Sequence, residues 1–151
     1  MSTALAYLHS LSMIALASLL ILQLLGLDRL HDREEMQRFF AFCVGVAAAA
    51  VVLLLSGAGM VVWSAQGAAF FLRNPVFYIK LALFAAMLLV AITPARIILQ
   101  WQREAYEGGR PQPASIMLVR RYLIVELILL LAIPLLASMA SRGVGLLPSA
   151  S

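Results

Sequence analysis

Four stretches of the chain are almost unbroken in apolar residues, and short polar segments separate them. The first covers about residues 3–27 and stops at the cluster Asp28, Arg29, His31, Asp32, Arg33, Glu34, Glu35. The second covers about 39–63, the third about 76–100 after Asn74-Pro75, and the fourth about 115–141. A helix needs roughly 20 predominantly apolar residues to cross a bilayer, so each run suffices, with length to spare for tilt. None of them alternates with period two, which excludes membrane strands. The pattern predicts an all-α membrane protein: four transmembrane helices in an antiparallel up-down-up-down bundle. Residues 1–151 then form a single integral membrane domain, with 143–151 a loose tail. No positive residue precedes the first run, and the run exceeds the roughly 7–15 residues of a signal-peptide core, so it reads as a retained helix.

Turn chemistry agrees with these boundaries. Pro75 opens the third run, where its missing N–H costs nothing, and Asn74 can cap it. Gly108-Gly109-Arg110-Pro111 marks the last connection. Pro94 and Pro134 fall inside apolar runs and are expected to kink them. The small-residue pairs Gly45/Ala49 and Ala82/Ala86 would let helices approach closely.

Composition confirms the class. Of 151 residues, 64% are hydrophobic and 12% charged, and mean hydropathy is +0.99. A soluble domain is nearer half apolar and a quarter charged, and a chain of this size could not hide so much apolar surface from water. The net charge of +4 therefore reports membrane loops rather than a nucleic-acid face. Arg29, Arg33, Arg38, Arg96, Arg103, Arg110, Arg120 and Arg121 fall on the side of the first and third connections; only Arg73 and Arg142 fall on the other. The positive-inside rule then places both termini outside the cytoplasm.

Three titratable side chains remain within the spans: His9, Lys80 and Glu126. Such groups are costly in lipid, and each is a candidate functional residue. His9 lies roughly 9 Å from the outer end of the first helix at about 1.5 Å per residue, and Lys80 lies at a similar depth. Glu126 is roughly 15 Å further along the membrane normal, so a direct Lys80–Glu126 pair is not expected. His9, Ser12, Leu16 and Gln23 form a thin polar stripe expected to face the bundle interior. A neutral imidazole is a common axial ligand of haem iron; the plainer reading of His9 is a hydrogen bond to a neighbouring helix. Lys80 is either snorkelling to the interface or holding a carboxylate such as a haem propionate, with Arg73 adding positive potential. Glu126 is either interhelical glue, with Tyr122 or Gln23 as partner, or a proton relay. Tyr7, Trp63 and Tyr78 read as an interfacial aromatic belt. Cys43, the one cysteine, reads as a small buried or lipid-facing hydrophobe. His31 belongs to the solvated first connection, on the opposite side from His9, so one chain cannot supply a bis-histidine haem site. Zinc-ligand spacing, a phosphate-cradling glycine loop and a Ser/His/Asp set are all absent from the sequence, and nothing supports a soluble-type hydrolase.

These residues carry a resemblance. Ala6-Tyr7-Leu8-His9, the stretch Phe71-Leu72-Arg73-Asn74-Pro75-Val76-Phe77-Tyr78-Ile79-Lys80-Leu81, and Glu126 through Ile133-Pro134-Leu135-Leu136 to Arg142-Gly143 resemble the bacterial four-helix membrane family catalogued as domain of unknown function twenty-two fourteen. That family is distantly similar to the copper-resistance CopD family and to the haem-dependent protoporphyrinogen oxidase family HemJ. By that similarity, His9 occupies a haem-ligand position and Lys80 its companion. The chain departs from the pattern at Gln23, Ala41 and Met60, where charged residues are expected, which weighs against proton- or porphyrin-linked catalysis and towards a non-catalytic role.

Two readings follow. In the first, the protein binds b-type haem or porphyrin, with His9 on the metal and Lys80 with Arg73 near the propionates. In the second, it is an accessory or scaffold subunit of a larger membrane complex, or a homo-oligomer, packing through apolar and small-residue faces. A small transporter fits less well, because no span carries paired internal breaks.

Overall fold

The computed structural model describes residues 2–63 and 75–141. Four long helices account for nearly all of them: α1 (Ser2–Gly26), α2 (Arg33–Val62), α3 (Pro75–Tyr106) and α4 (Pro113–Ser141), with a short 3₁₀ turn at Leu27–Arg29. The described residues contain no strand. Among the described residues, three helical segments, Thr3–Arg29, Arg33–Val62 and Phe77–Tyr106, are long and apolar enough to cross a membrane. The fourth helix, 29 residues long, carries Arg120, Arg121 and Glu126 within the 115–141 span expected from sequence.

The helices outrun their apolar runs at the charged end of the bundle. α2 begins at Arg33, six residues before the apolar stretch, because Asp32 caps it: its side chain accepts a hydrogen bond from the Glu35 N–H at 2.9 Å. Glu35 in turn accepts from the His31 N–H at 3.1 Å, and Glu34 and Glu35 place negative charge on the positive end of the helix dipole. α3 continues to Tyr106 and stops at Gly108, whose φ of +81° only glycine adopts without strain. There the Gly109 N–H donates to the Glu104 carbonyl (2.9 Å) and the Gly108 N–H to the Ala105 carbonyl (3.3 Å), a Schellman closure. Pro113 then occupies the first turn of α4. The helices run on through Pro94 and Pro134. Asn74, Arg73, Arg142 and the tail 143–151 lie outside the described residues.

Packing divides into two tight pairs, α1 with α2 and α3 with α4, joined by lighter contacts of α1 with α4 and α2 with α3. Early α1 residues meet late α2 residues and late meet early: His9 bonds to Leu53 and Ser56, and Gln23 to Cys43. Gly45 faces Leu19 of α1, as the small-residue spacing implies, whereas Ala82 points outward.

The core follows one stripe of each helix. On α1 it is Ser12, Leu16, Leu20 and Gln23, continued by Leu27 in the 3₁₀ turn, all buried, at helical spacing. Phe39, Leu53, Met87, Ile98, Trp101, Val119, Leu123 and Leu130 complete it. The opposite faces are apolar too: Leu11, Ile14, Leu55, Leu89, Ile128 and Leu131 are all exposed. An exterior as apolar as this suits lipid rather than water.

Both connections that the structure describes lie at one end. Arg120 of α4 bonds to Asp28 in the turn after α1, and the Arg33 guanidinium stacks 4.5 Å over the Tyr106 ring. The arginines of the first and third connections are thereby gathered on a single end of the bundle.

Candidate functional site

The polar groups within the helices collect at two levels. Towards the N-terminal end of α1, the imidazole of His9 is half-buried and its Nδ1 lies 3.1 Å from the Leu53 carbonyl oxygen and 3.2 Å from Ser56 Oγ. A carbonyl oxygen can only accept, and Ser56 already donates its own hydrogen to that same carbonyl at 3.1 Å. An Nδ1–H satisfies both contacts, and in the neutral ring with that hydrogen Nε2 keeps its lone pair. Nε2 makes no hydrogen bond among the described residues. Gly57 makes this arrangement fit: a Cβ there would stand 3.1 Å from His9 Cε1 and 3.4 Å from Nδ1.

This is the arrangement in which histidine serves a metal, because a ligating ring usually gives its other N–H to a carbonyl, which fixes tautomer and orientation. Held in this way, the imidazole of His9 has one ring nitrogen, Nε2, that it could offer to a metal. The site does not fit a metal held by side chains alone, since no group of three or more His, Cys, Asp or Glu residues gathers anywhere among the described residues.

Lys80 is half-buried on α3, and no hydrogen bond or ion pair joins it to His9, whose partners are both on α2. Arg73 lies outside the described residues. Tyr7, Trp63 and Tyr78 are all exposed, and Tyr78 packs edge-to-face on Phe77 with centroids 5.8 Å apart. His31 sits in the charged turn, exposed, 3.7 Å from Glu35.

The second level lies closer to the arginine-bearing end. Gln23 is buried on α1, and its Nε2 lies 2.9 Å from Cys43 Sγ, which in turn lies 3.3 Å from the Phe39 carbonyl. Because the thiol hydrogen goes to that carbonyl, sulfur offers Gln23 only lone pairs. The amide therefore turns its NH₂ to the sulfur and leaves Oε1 over. Cys43, read from sequence as a small hydrophobe, is in fact a polar link between α1 and α2. Glu126 on α4 is also buried, and neither Tyr122 nor Gln23 bonds to it, contrary to expectation. Gln23 Oε1 and Glu126 Oε1 are the buried side-chain oxygens left without a partner among the described residues. Both line one cavity of about 320 Å³ between the four helices.

A bundle of long helices with an apolar exterior and a few buried polar groups defines an integral membrane protein of the all-α class. Residues 1–145 match the family described as Predicted membrane protein (DUF2214), and the chain belongs to it. No curated protein and no solved structure matches the chain.

Proposed function

We propose that the protein holds a b-type haem or porphyrin through His9, near the membrane face opposite the arginine-rich connections. The observation that carries this reading is the 3.1 Å contact of His9 Nδ1 with the Leu53 carbonyl oxygen, which suits an Nδ1–H and, in a neutral ring, leaves Nε2 its lone pair. The group would bring the redox or ligand-binding chemistry of its iron. The chain would hold the imidazole neutral and oriented, and supply Lys80 and Arg73 as cations for the propionates. In this reading α4 is the fourth span, the bundle runs up-down-up-down, and the eight arginines of the first and third connections face the cytoplasm of a bacterial cell. Both termini are then non-cytoplasmic.

The test is a visible absorption spectrum of the protein purified from haem-replete cells. A Soret band that disappears in His9→Ala is the expected result; a colourless preparation overturns it. The second reading, an accessory subunit or homo-oligomer, is favoured by the same bond seen differently: His9 pins α1 to α2 at Leu53 and Ser56, and a pin requires no ligand. A tagged chain recovered in mild detergent would then bring a second polypeptide or a second copy with it, and elution alone as a monomer excludes that reading.

A further inference from the structure

The cavity between the helices is a candidate site of its own, independent of His9. Its walls are almost wholly apolar, formed by residues such as Leu16, Leu20, Val46, Phe84, Met87 and Leu123. Gln23 and Glu126 break that lining, and they are 3% and 4% exposed. Each leaves an oxygen there without a hydrogen-bond partner among the described residues. Leaving a buried polar group unmet costs about 1–3 kcal/mol, and in lipid no bulk water is at hand to meet it. Two such groups from different helices, converging on one void, are what a binding site for a polar head looks like.

The shape of the void says where the rest of the ligand goes. The lining residues that are exposed, Ala47, Val51 and Leu54 on α2 and Leu88 and Ala95 on α3, all lie within apolar membrane-spanning segments. The mouth therefore opens between α2 and α3 towards lipid, and Pro94, which has no N–H to give the Val90 carbonyl, forms part of the same wall. A volume of about 320 Å³ is at the small end of ligand pockets and admits a head and the start of a tail.

We propose that this cavity binds a membrane-dissolved amphiphile with a hydroxyl head, its apolar body leaving between α2 and α3. A hydroxyl answers both orphaned groups: its hydrogen goes to Gln23 Oε1, and its lone pairs meet a carboxylic O–H at Glu126. A carboxylate head has no hydrogen to give Gln23 Oε1. Quinols and long-chain alcohols share the hydroxyl chemistry.

Photo-crosslinking of the full chain in lipid nanodiscs tests this, with a diazirine-bearing long-chain alcohol as probe. Labelling is expected on the lining positions of α2 and α3, and excess unlabelled hydroxyl compound should suppress it. Competition by a decyl-tailed hydroquinone at lower concentration than 1-dodecanol assigns the head to a quinol ring; the reverse order assigns it to an aliphatic alcohol. The dimethyl ether of the hydroquinone and palmitate should not compete. Gln23→Leu and Glu126→Leu should each lower labelling about tenfold, the equivalent of one hydrogen bond of about 1.4 kcal/mol, while Glu126→Gln retains most of it. Ala47→Phe, on the exposed rim, should block labelling without touching a polar group. Labelling spread evenly over all lipid-facing helices, or equal competition by the ether or by palmitate, overturns the proposal. So does labelling unchanged by Ala47→Phe.

Discussion

A Cβ on Gly57 of α2 would stand 3.1 Å from Cε1 of His9 on α1. The two residues are fitted to each other: the imidazole occupies the space that any side chain at position 57 would claim. Gly57→Ala should therefore displace the ring and stretch the Nδ1–Leu53 bond. Overpacking of this kind costs typically about 1–3 kcal/mol, offset in part by the higher helix propensity of alanine. Unfolding of the purified protein in a detergent titration should show a net loss of stability. The double variant Gly57→Ala with His9→Ala should recover most of it, because the clash is gone.

The tautomer at His9 gives a sharper test than simple removal of the ring. If Nε2 binds iron while Nδ1–H anchors the ring, His9→Gly leaves a hollow that free imidazole can fill. Added imidazole should then restore the Soret band of His9→Gly, whereas His9→Phe, of similar bulk, should stay colourless with or without it. Unlike the ligand role, the interhelical pin predicts that stability alone responds, with no band in any variant.

The helices were legible in the polarity pattern because a spanning segment must be apolar along its length, but their ends were not. The apolar run at 39–63 understates α2, which begins at Arg33, and the run at 76–100 understates α3, which ends at Tyr106. Hydropathy reports contact with lipid, while backbone hydrogen bonding continues until a cap or a glycine stops it, here at Asp32 and Gly108. The polar groups were legible in identity but not in pairing. Glu126 and Gln23 stand out in any apolar helix, yet the partner of a side chain depends on helix rotation, which composition does not encode. Cys43 was missed for that reason, and Tyr122, one of the candidate partners of Glu126, leaves Glu126 Oε1 without a hydrogen bond among the described residues. A signal did exist for the α1–α2 pair: with the connection centred near position 33, an antiparallel hairpin sets residue 23 opposite residue 43 and residue 9 opposite residue 57. Both contacts occur.

At the charged end, Arg120 of α4 bonds to Asp28 across a wide stretch of sequence. The two side chains are 41% and 69% exposed, so water and salt screen the pair, and such pairs contribute about 0–1 kcal/mol. Asp28→Asn should lower stability by no more than that, and the difference should shrink at high salt. A loss of several kcal/mol would mean that this end is far less hydrated than its exposure implies.

Orientation in the membrane rests on the arginines, and it can be read with a single introduced thiol. Cys43→Ala removes the native cysteine at the cost of the Gln23 link, and a new cysteine at Gly109 lies exposed in the connection between α3 and α4. That connection shares its end of the bundle with the turn after α1, as the Asp28–Arg120 and Arg33–Tyr106 contacts require. A thiol reagent that cannot cross membranes should label Gly109→Cys only after the cells are permeabilised, and a cysteine at exposed Thr3 should be labelled in intact cells. The two positions bracket α1 through α3, three consecutive apolar helices, so an odd number of crossings must separate them if all three span. Labelling of both positions from the same side would mean that one of those helices does not cross, and labelling in the opposite sense would mean that charge asymmetry does not set the orientation of this bundle.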